Sequence, residues 1–327
     1  ANHLTINKNV TITGENPEKT IINIGNWGSI SNILFTTPGY SHVTFKNITL
    51  KGNDRDFVID CTGQLDIENC IFINGIRNIG TCNFKNCTFT GNDDQKGMGG
   101  VWNKGGELNL TQCHFINNKN KPIINDNLDY KRGSCLITDC EFIGNECNVD
   151  FQDIHERDST EDNDHFWHNK QDHDDALSCV TNRGFCRITN STFIDNKGEF
   201  GGAFQNKGYG LCMITNCKFI RNQALKTGDY ETSGIGGAIL NGGHSDVYGG
   251  SKLKVINTAF INNTAISASK GAPSYGGAIA NQYKGVSEIT ACTFIGNKAF
   301  YGGVLSNSQQ ASCLFYGNTL INNTATF

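Results

Sequence analysis

One phrase returns along the whole of this chain with its internal spacing unchanged. It reads Cys135-Leu136-Ile137-Thr138-Asp139-Cys140-Glu141-Phe142-Ile143-Gly144-Asn145, and again Cys212-Met213-Ile214-Thr215-Asn216-Cys217-Lys218-Phe219-Ile220-Arg221-Asn222. A third copy runs from Ser287 to Asn297. The distance between copies varies from roughly 17 to 51 residues while the phrase keeps its length. A propeller or sandwich needs units of even size joined by tight hairpins, whereas a stacked solenoid absorbs insertions in its loops. The repeat therefore outranks any local propensity reading of the 327 residues.

Within the phrase, the first Leu or Cys and the Ile stand two apart, as do the second Cys and the Phe. Period-two spacing puts each pair on one face of a strand. The Asn or Asp between the pairs breaks the alternation, so both pairs face inward only if the chain bends there. Asn and Asp tolerate the left-handed backbone that a tight bend requires. A second bend is expected at the Asn of Phe-x-x-Asn, found at Asn92, Asn118, Asn145, Asn196, Asn222, Asn263 and Asn297. Stacked in register, the Asn side chains of the first bend can hydrogen-bond to their equivalents above and below.

A third phrase precedes the late copies, as in Gly201-Gly202-Ala203-Phe204, Gly236-Gly237-Ala238-Ile239 and Gly276-Gly277-Ala278-Ile279. Two bends and three strands per repeat make a triangular coil, and successive coils pair as parallel strands. The expected fold is all-β: a single-stranded parallel β-helix of about eleven three-strand coils, forming one domain over residues 1–327. It is expected to be right-handed, as parallel crossovers overwhelmingly are. At about 4.8 Å per coil the rod is about 50 Å long.

Fourteen cysteines would ordinarily suggest disulfides or a metal. Eleven instead fall in the two inward columns, where Leu, Ser and Thr replace them on other coils. They read as small buried fillers in reduced ladders. Cys61, Cys147 and Cys179 lie off the columns, and a Cys147–Cys179 link would close the loop between them.

Net charge is −4, which speaks against a nucleic-acid partner, and its distribution is uneven. Residues 146–175 hold 11 Asp and Glu against 2 Lys and Arg, a local net of −9, so the remainder carries +5. This acidic insertion also holds four of the 8 His. His165 and His168, with His173 or Asp174 nearby, have the residue types for Zn²⁺, and the carboxylates suit Ca²⁺. The segment matches no known metal-binding loop, and a solvated acidic loop is the plain alternative.

The Asn-Cys-x-Phe-Ile-x-Asn wording, with Val10-Thr11-Ile12-Thr13-Gly14 near the start, resembles adhesin-like surface proteins of methanogenic archaea. The Gly-Gly-Ala-Ile and Phe-x-x-Asn phrases are also similar to the repeats of polymorphic outer membrane proteins. The resemblance implies a pectate-lyase-like solenoid on the cell surface, outside the cell. It implies a non-catalytic adhesin module that binds a glycan or protein of a host or neighbour cell. The bacterial group's translocator barrel is absent from this sequence.

An enzyme is the rival, since many β-helices degrade polysaccharides. Hydrolysis needs two carboxylates set across a sugar, and the outward positions of neighbouring coils offer no cluster of Asp. His114 and Glu141 are expected to stack as a pair on adjacent coils. Long excursions occur at two bends only, on either side of the Gly-Gly strand, so that sheet would floor a groove between loop walls. Trp167, Tyr230, Tyr248, Tyr275 and Tyr283 lie in or beside those walls and supply rings for stacking. End-to-end stacking of coils into a fibre is the structural alternative. No run of 18 apolar residues is present, so no helix spans a membrane within these residues.

Overall fold

The computed structural model describes residues 4–23, 35–52, 57–91, 100–119, 121–147, 178–226, 234–243, 250–267 and 273–327. Three parallel sheets of eleven strands run the length of the rod. The first sheet is the Gly-Gly sheet, from Leu4–Thr5 and Phe35–Thr37 to Ile279–Asn281 and Leu305–Asn307. The second, from Val10–Thr13 to Ser312–Tyr316, holds the first half of the repeated phrase. The third, from Ile21–Asn23 to Thr319–Ile321, holds the second half. Each coil contributes one strand to each sheet, so the expected eleven coils are present. We number them from the N-terminal end.

Coils seven to eleven carry a fourth strand that the three-strand reading does not contain. Lys197–Gly198, Gln223–Lys226, Thr264–Ser267, Lys298–Ala299 and Thr324–Ala325 form a five-stranded sheet between the third and first. Its inward residues are Ala224, Ala265 and Ala299, packed on one another. These short Ala-containing strands lack the long alternation that marks a strand in sequence.

The corner between the second and third sheets is a single left-handed residue. Asn47, Asn69, Asn86, Gln112, Asp139, Asn190, Asn216, Asn257 and Ala291 all hold φ between 45 and 57°. The second bend is shifted from its expected place. The left-handed residue is the one before the conserved-spacing Asn: Asn117, Gly144, Asp195, Arg221, Asn262 or Gly296. The following Asn turns inward and is buried at 118, 145, 196, 222, 263 and 297.

Stacking is expected at the first bend, but there Gln112, Asp139 and Ala291 interrupt the column, and only pairs such as Asn69–Asn47 at 2.8 Å and Asn257–Asn216 at 2.9 Å form. It is the buried Asn of the second bend that form a ladder. Asn118 Nδ2 donates to Asn145 Oδ1 at 2.9 Å, and the same bond repeats up to Asn297–Asn323 at 2.8 Å. Each oxygen also accepts the backbone N–H of the Asn on the preceding coil, and each amide reaches a Phe carbonyl. A second ladder, absent from the sequence reading, closes the first sheet. Asn78, Asn103, Asn125, Asn182, Asn206, Asn241, Asn281 and Asn307 pass Nδ2-to-Oδ1 bonds of 2.7 to 2.8 Å from coil to coil. The chain must turn tightly against these amides. A Cβ on Gly210 would stand 2.5 Å from Asn206 Oδ1, which is why glycine is required there.

Beside the ladders runs a column of phenylalanines. From Phe89 through Phe115, Phe142, Phe193, Phe219 and Phe260 to Phe294, neighbouring rings lie 4.5 to 5.1 Å apart and within 7° of parallel. Offset stacking of this kind adds about 0.5–1.5 kcal/mol per pair beyond burial.

The cysteines occupy the two inward columns as expected. Cys82 faces Leu65 and Leu108, and Cys135, Cys186 and Cys212 are consecutive rungs. None of the fourteen is disulfide-bonded. Cys147 and Cys179 are buried, with the Cys147 thiol donating to the Cys179 sulfur at 3.5 Å, so they meet as thiols and not as a bridge. Burial raises Cys70 and Cys217 to about 11 and pushes Cys82 well up. The bond with Cys186, and then burial, raises Cys135, while for Cys186 the lowering bond to Cys135 is outweighed by the Cys212 contact and burial.

Two predictions follow from this packing. Asn206→Ala takes from the Asn182 amide its 2.8 Å acceptor and from the Asn241 oxygen its donor in a dry interior, so it should cost about 1–3 kcal/mol, read as a lowered urea midpoint. Asn216→Ala, at a solvent-facing corner, should shift that midpoint far less. In native protein at pH 8, alkylation should reach Cys313 first, because it alone of the fourteen is not buried, although partial burial raises its thiol too. Denaturant without reductant should then release all fourteen, and a lower count would contradict the ladders.

Candidate functional site

The outward faces are laid out by strand register. On the second sheet, His42 Nε2 meets Asp66 at 2.5 Å and Lys46 meets Glu68 at 2.9 Å. Lys85 approaches Glu68 from the next coil at 3.7 Å, and Lys254 pairs with Glu288 at 2.9 Å. Burial alone would raise the Asp66 carboxyl, but hydrogen bonds from Asn83 and His42 outweigh it and hold it below the usual carboxylate range. The expected His114–Glu141 pair forms across adjacent coils at 3.0 Å. Asn109, whose Asn-x-Thr sequence suggests an outward glycan acceptor, is half-buried and donates to Asn83 at 2.8 Å.

These pairs edge an open groove of about 790 Å³ over the corner between the second and third sheets. Glu68, Lys85, His114, Asp139 and Glu141 line it. Lys46 holds Glu68 and the His114 ring holds Glu141, so neither stands as an unpartnered acid or base. On the first sheet Arg77 forks onto Asp60, and on the adjoining corner Arg183 reaches Asp126 at 2.8 Å.

The outer face of the first sheet is not the open floor expected from its small residues. Trp102, Ile124, Thr181, Gln205, Leu240 and Ala280 point away from the coil interior in successive rungs, yet all are buried. Phe57 stacks on Trp102, and Phe200 and Ile235 pack with Leu240 and Ala280. An outer apolar layer covers this sheet through the middle of the rod. The accessible features are at its two edges.

One edge is the corner between the third and first sheets. Tyr275 lies there, half-buried, with its ring 5.4 Å from that of Tyr301 and 17° from parallel. Phe300 and Phe327 pack against Tyr301, so Tyr275 belongs to a small aromatic cluster. The other edge is the corner between the first and second sheets, where Tyr283 sits at φ 45°. Three further tyrosines that the sequence reading passed over share this edge. Tyr40 is 76%, Tyr130 104% and Tyr209 61% exposed. Tyr209 also holds a left-handed backbone, φ 63°. Bulky side chains rarely do so, and such strain persists where the surroundings enforce it.

Of the other residues singled out from the sequence, Trp167, Tyr230 and Tyr248 lie outside the described residues. The same holds for His165, His168, His173 and Asp174, the Zn²⁺ or Ca²⁺ candidates of the acidic insertion. Among the described residues, no three His, Cys, Asp or Glu side chains come together as a metal site. No described helix is long and apolar enough to cross a membrane.

No protein-family model and no curated protein matches the chain. Among solved structures it is similar to the catalytic domain of a GH87 alpha-1,3-glucanase, in two aspartate-to-alanine variants each in complex with nigerose. Each match has a TM-score of 0.51 and 12% identity, covering 99% of this chain and 63% of the other. The chain thus spans less than two thirds of the glucanase domain. A bacteriophage CBA120 tailspike protein aligns at a TM-score of 0.36 and 10% identity, over 97% of this chain and 53% of its own. At such identity the likeness to the glucanase domain is one of fold, and it makes this chain an all-β, parallel β-helix solenoid.

Proposed function

We propose that this chain is a non-catalytic binding module that works outside the cell, at a cell surface, and takes glycans along the edges of its first sheet. The observation that carries this reading is the set of tyrosines displayed at the corner between the first and second sheets. Exposed rings on a rigid scaffold suit stacking on sugar faces, and they cost little conformational entropy to order. The glucanase domain, solved with the disaccharide nigerose, supports a carbohydrate as the ligand class. The adhesin-like proteins that the repeats resemble support attachment to a host or neighbour cell as the purpose.

The charges favour binding over hydrolysis. A glycosidase keeps one carboxyl protonated and another ionised, with the sugar between them. Here Asp60, Asp66, Glu68, Asp126, Glu141 and Glu288 are each engaged by Arg, Lys or His, and hydrogen bonds hold the Asp66 and Glu68 carboxyls below the usual carboxylate range.

On a glycan array the chain should retain a subset of polysaccharides, and incubation with those same polymers should release no new reducing ends. Release of reducing ends would replace this reading with an enzymatic one. Tyr283→Ala should weaken retention more than Tyr275→Ala, because the Tyr275 ring is already committed to Tyr301. The reverse order would move the binding edge to the other side of the sheet.

A further inference from the structure

We infer that the outer face of the third sheet is a self-association surface, on which a second copy of this chain packs with its rod running the opposite way. This surface is separate from the glycan-binding edges proposed above. Each strand of the third sheet turns its Phe inward and the residues on either side outward, so the sheet displays two columns. In one of them seven consecutive rungs are isoleucine, from Ile116 on the fifth coil to Ile321 on the eleventh. Ile116 to Ile295 are half-buried, and Ile321 is 43% exposed. The stripe is ~30 Å long and carries no charge. Strand preference alone does not call for it, since the second sheet fills a comparable outward column with Thr138, Thr189 and Thr215. A continuous apolar stripe on an outer face marks an interaction surface.

The occupant is a second copy because the face complements itself. A two-fold axis along the strand Thr192–Ile194 of the seventh coil turns one rod end for end and keeps each column opposite itself. Ile194 then faces its own equivalent, Ile143 faces Ile220, and Ile116 faces Ile261. In the other outward column the same axis sets Glu141 of the sixth coil against Lys218 of the eighth, twice by symmetry. Lys218 is exposed and makes no ion pair among the described residues, and Glu141 is exposed with His114 on one side only. On the corner beside the stripe, Arg221 forks onto Asp195 with two bonds of 2.7 Å. The axis brings two such forks together, so the two Asp195 carboxylates that meet there are each already held by an arginine.

Two further properties suit this partner. Both copies repeat at ~4.8 Å, so a match on one rung is a match on all of them, whereas a partner of another period would drift out of step. The sheet is also nearly flat. Phe rings on these strands stay within 7° of parallel from rung to rung, where ordinary sheets twist by about 20–25° per strand. Two such faces stay in contact along their length. Four residues of width at ~3.3 Å each, over ~40 Å from the third coil to the eleventh, give about 500 Å² a side. The total of about 1,000 Å² is the size of a reversible dimer and not of an obligate one.

The test is sedimentation equilibrium of the full chain over a wide range of concentration. The mass should rise from one chain to two and stop there. Ile220→Thr, which keeps a β-branched side chain, should weaken the dimer about tenfold, since each substitution counts twice. Lys218→Glu sets like charges against each other across the axis and should weaken it by about tenfold or more. The double variant Glu141→Lys, Lys218→Glu restores opposite charges and should recover the dimer, which only the antiparallel register predicts. Unchanged urea midpoints would show that the coils of all three variants are intact. A single-chain mass at every concentration would overturn the self-association surface. So would a dimer indifferent to Ile220→Thr and Lys218→Glu, or one that the double charge swap does not restore. Masses that climb past two chains would replace it with end-to-end stacking. Each of these results leaves the glycan reading to stand or fall on its own array.

Discussion

Buried amide-to-amide hydrogen bonding between successive coils is the constraint on which the rest of this molecule depends. An Asn side chain in a dry interior is costly unless both its donor and its acceptor are used. Here the same residue on the neighbouring coil supplies the partner, as in Asn125 to Asn182 at 2.7 Å and Asn196 to Asn222 at 2.9 Å, with the Asn78 oxygen at the end of its ladder the exception. A slip of one residue between coils would strand a whole column of amides at once. The ladders therefore fix register more strictly than apolar packing does, since Cys, Leu, Ser and Thr exchange freely in the inward columns.

Register fixed in this way explains where variation is tolerated. Between Asn145 and Asn196 the chain departs for 51 residues and returns to the same rung, because only the rung must match. The same logic makes the outer surface periodic. Whatever recurs at one place in the coil is displayed at intervals set by backbone hydrogen bonding and not by side-chain choice. A rod of this kind is suited to partners that are themselves repetitive.

Much of the scaffold was legible in the sequence. The inward columns, a ladder of stacked Asn and the number of coils all follow from a phrase whose spacing never changes; which of the two bends buries its Asn does not. The Asn78–Asn307 ladder was not, because excursions of unequal length separate those Asn from the phrase, and alignment by phrase leaves them adrift. The buried outer face at Trp102, Gln205 and Leu240 was also hidden. Gly-Gly-Ala-Ile reads as a small-residue floor, and period-two alternation says which way a side chain points but not whether a second layer covers it. The edge tyrosines escaped for a related reason. Tyr209 and Tyr283 look like loop residues until the corner geometry puts both on left-handed backbone, Tyr283 one residue earlier in its turn than Tyr209.

The central claim is that the repeats build the rod and that one of its edges does the binding. Hydrogen–deuterium exchange with and without a saturating oligosaccharide tests it most directly, since the two parts of the claim appear in different amides. The account predicts slow, ligand-independent exchange along the three long sheets, with new protection confined to residues 128–132, 207–210, 250–252 and 282–285. Protection centred on the third sheet, or on the groove lined by Glu68 and His114, would contradict it.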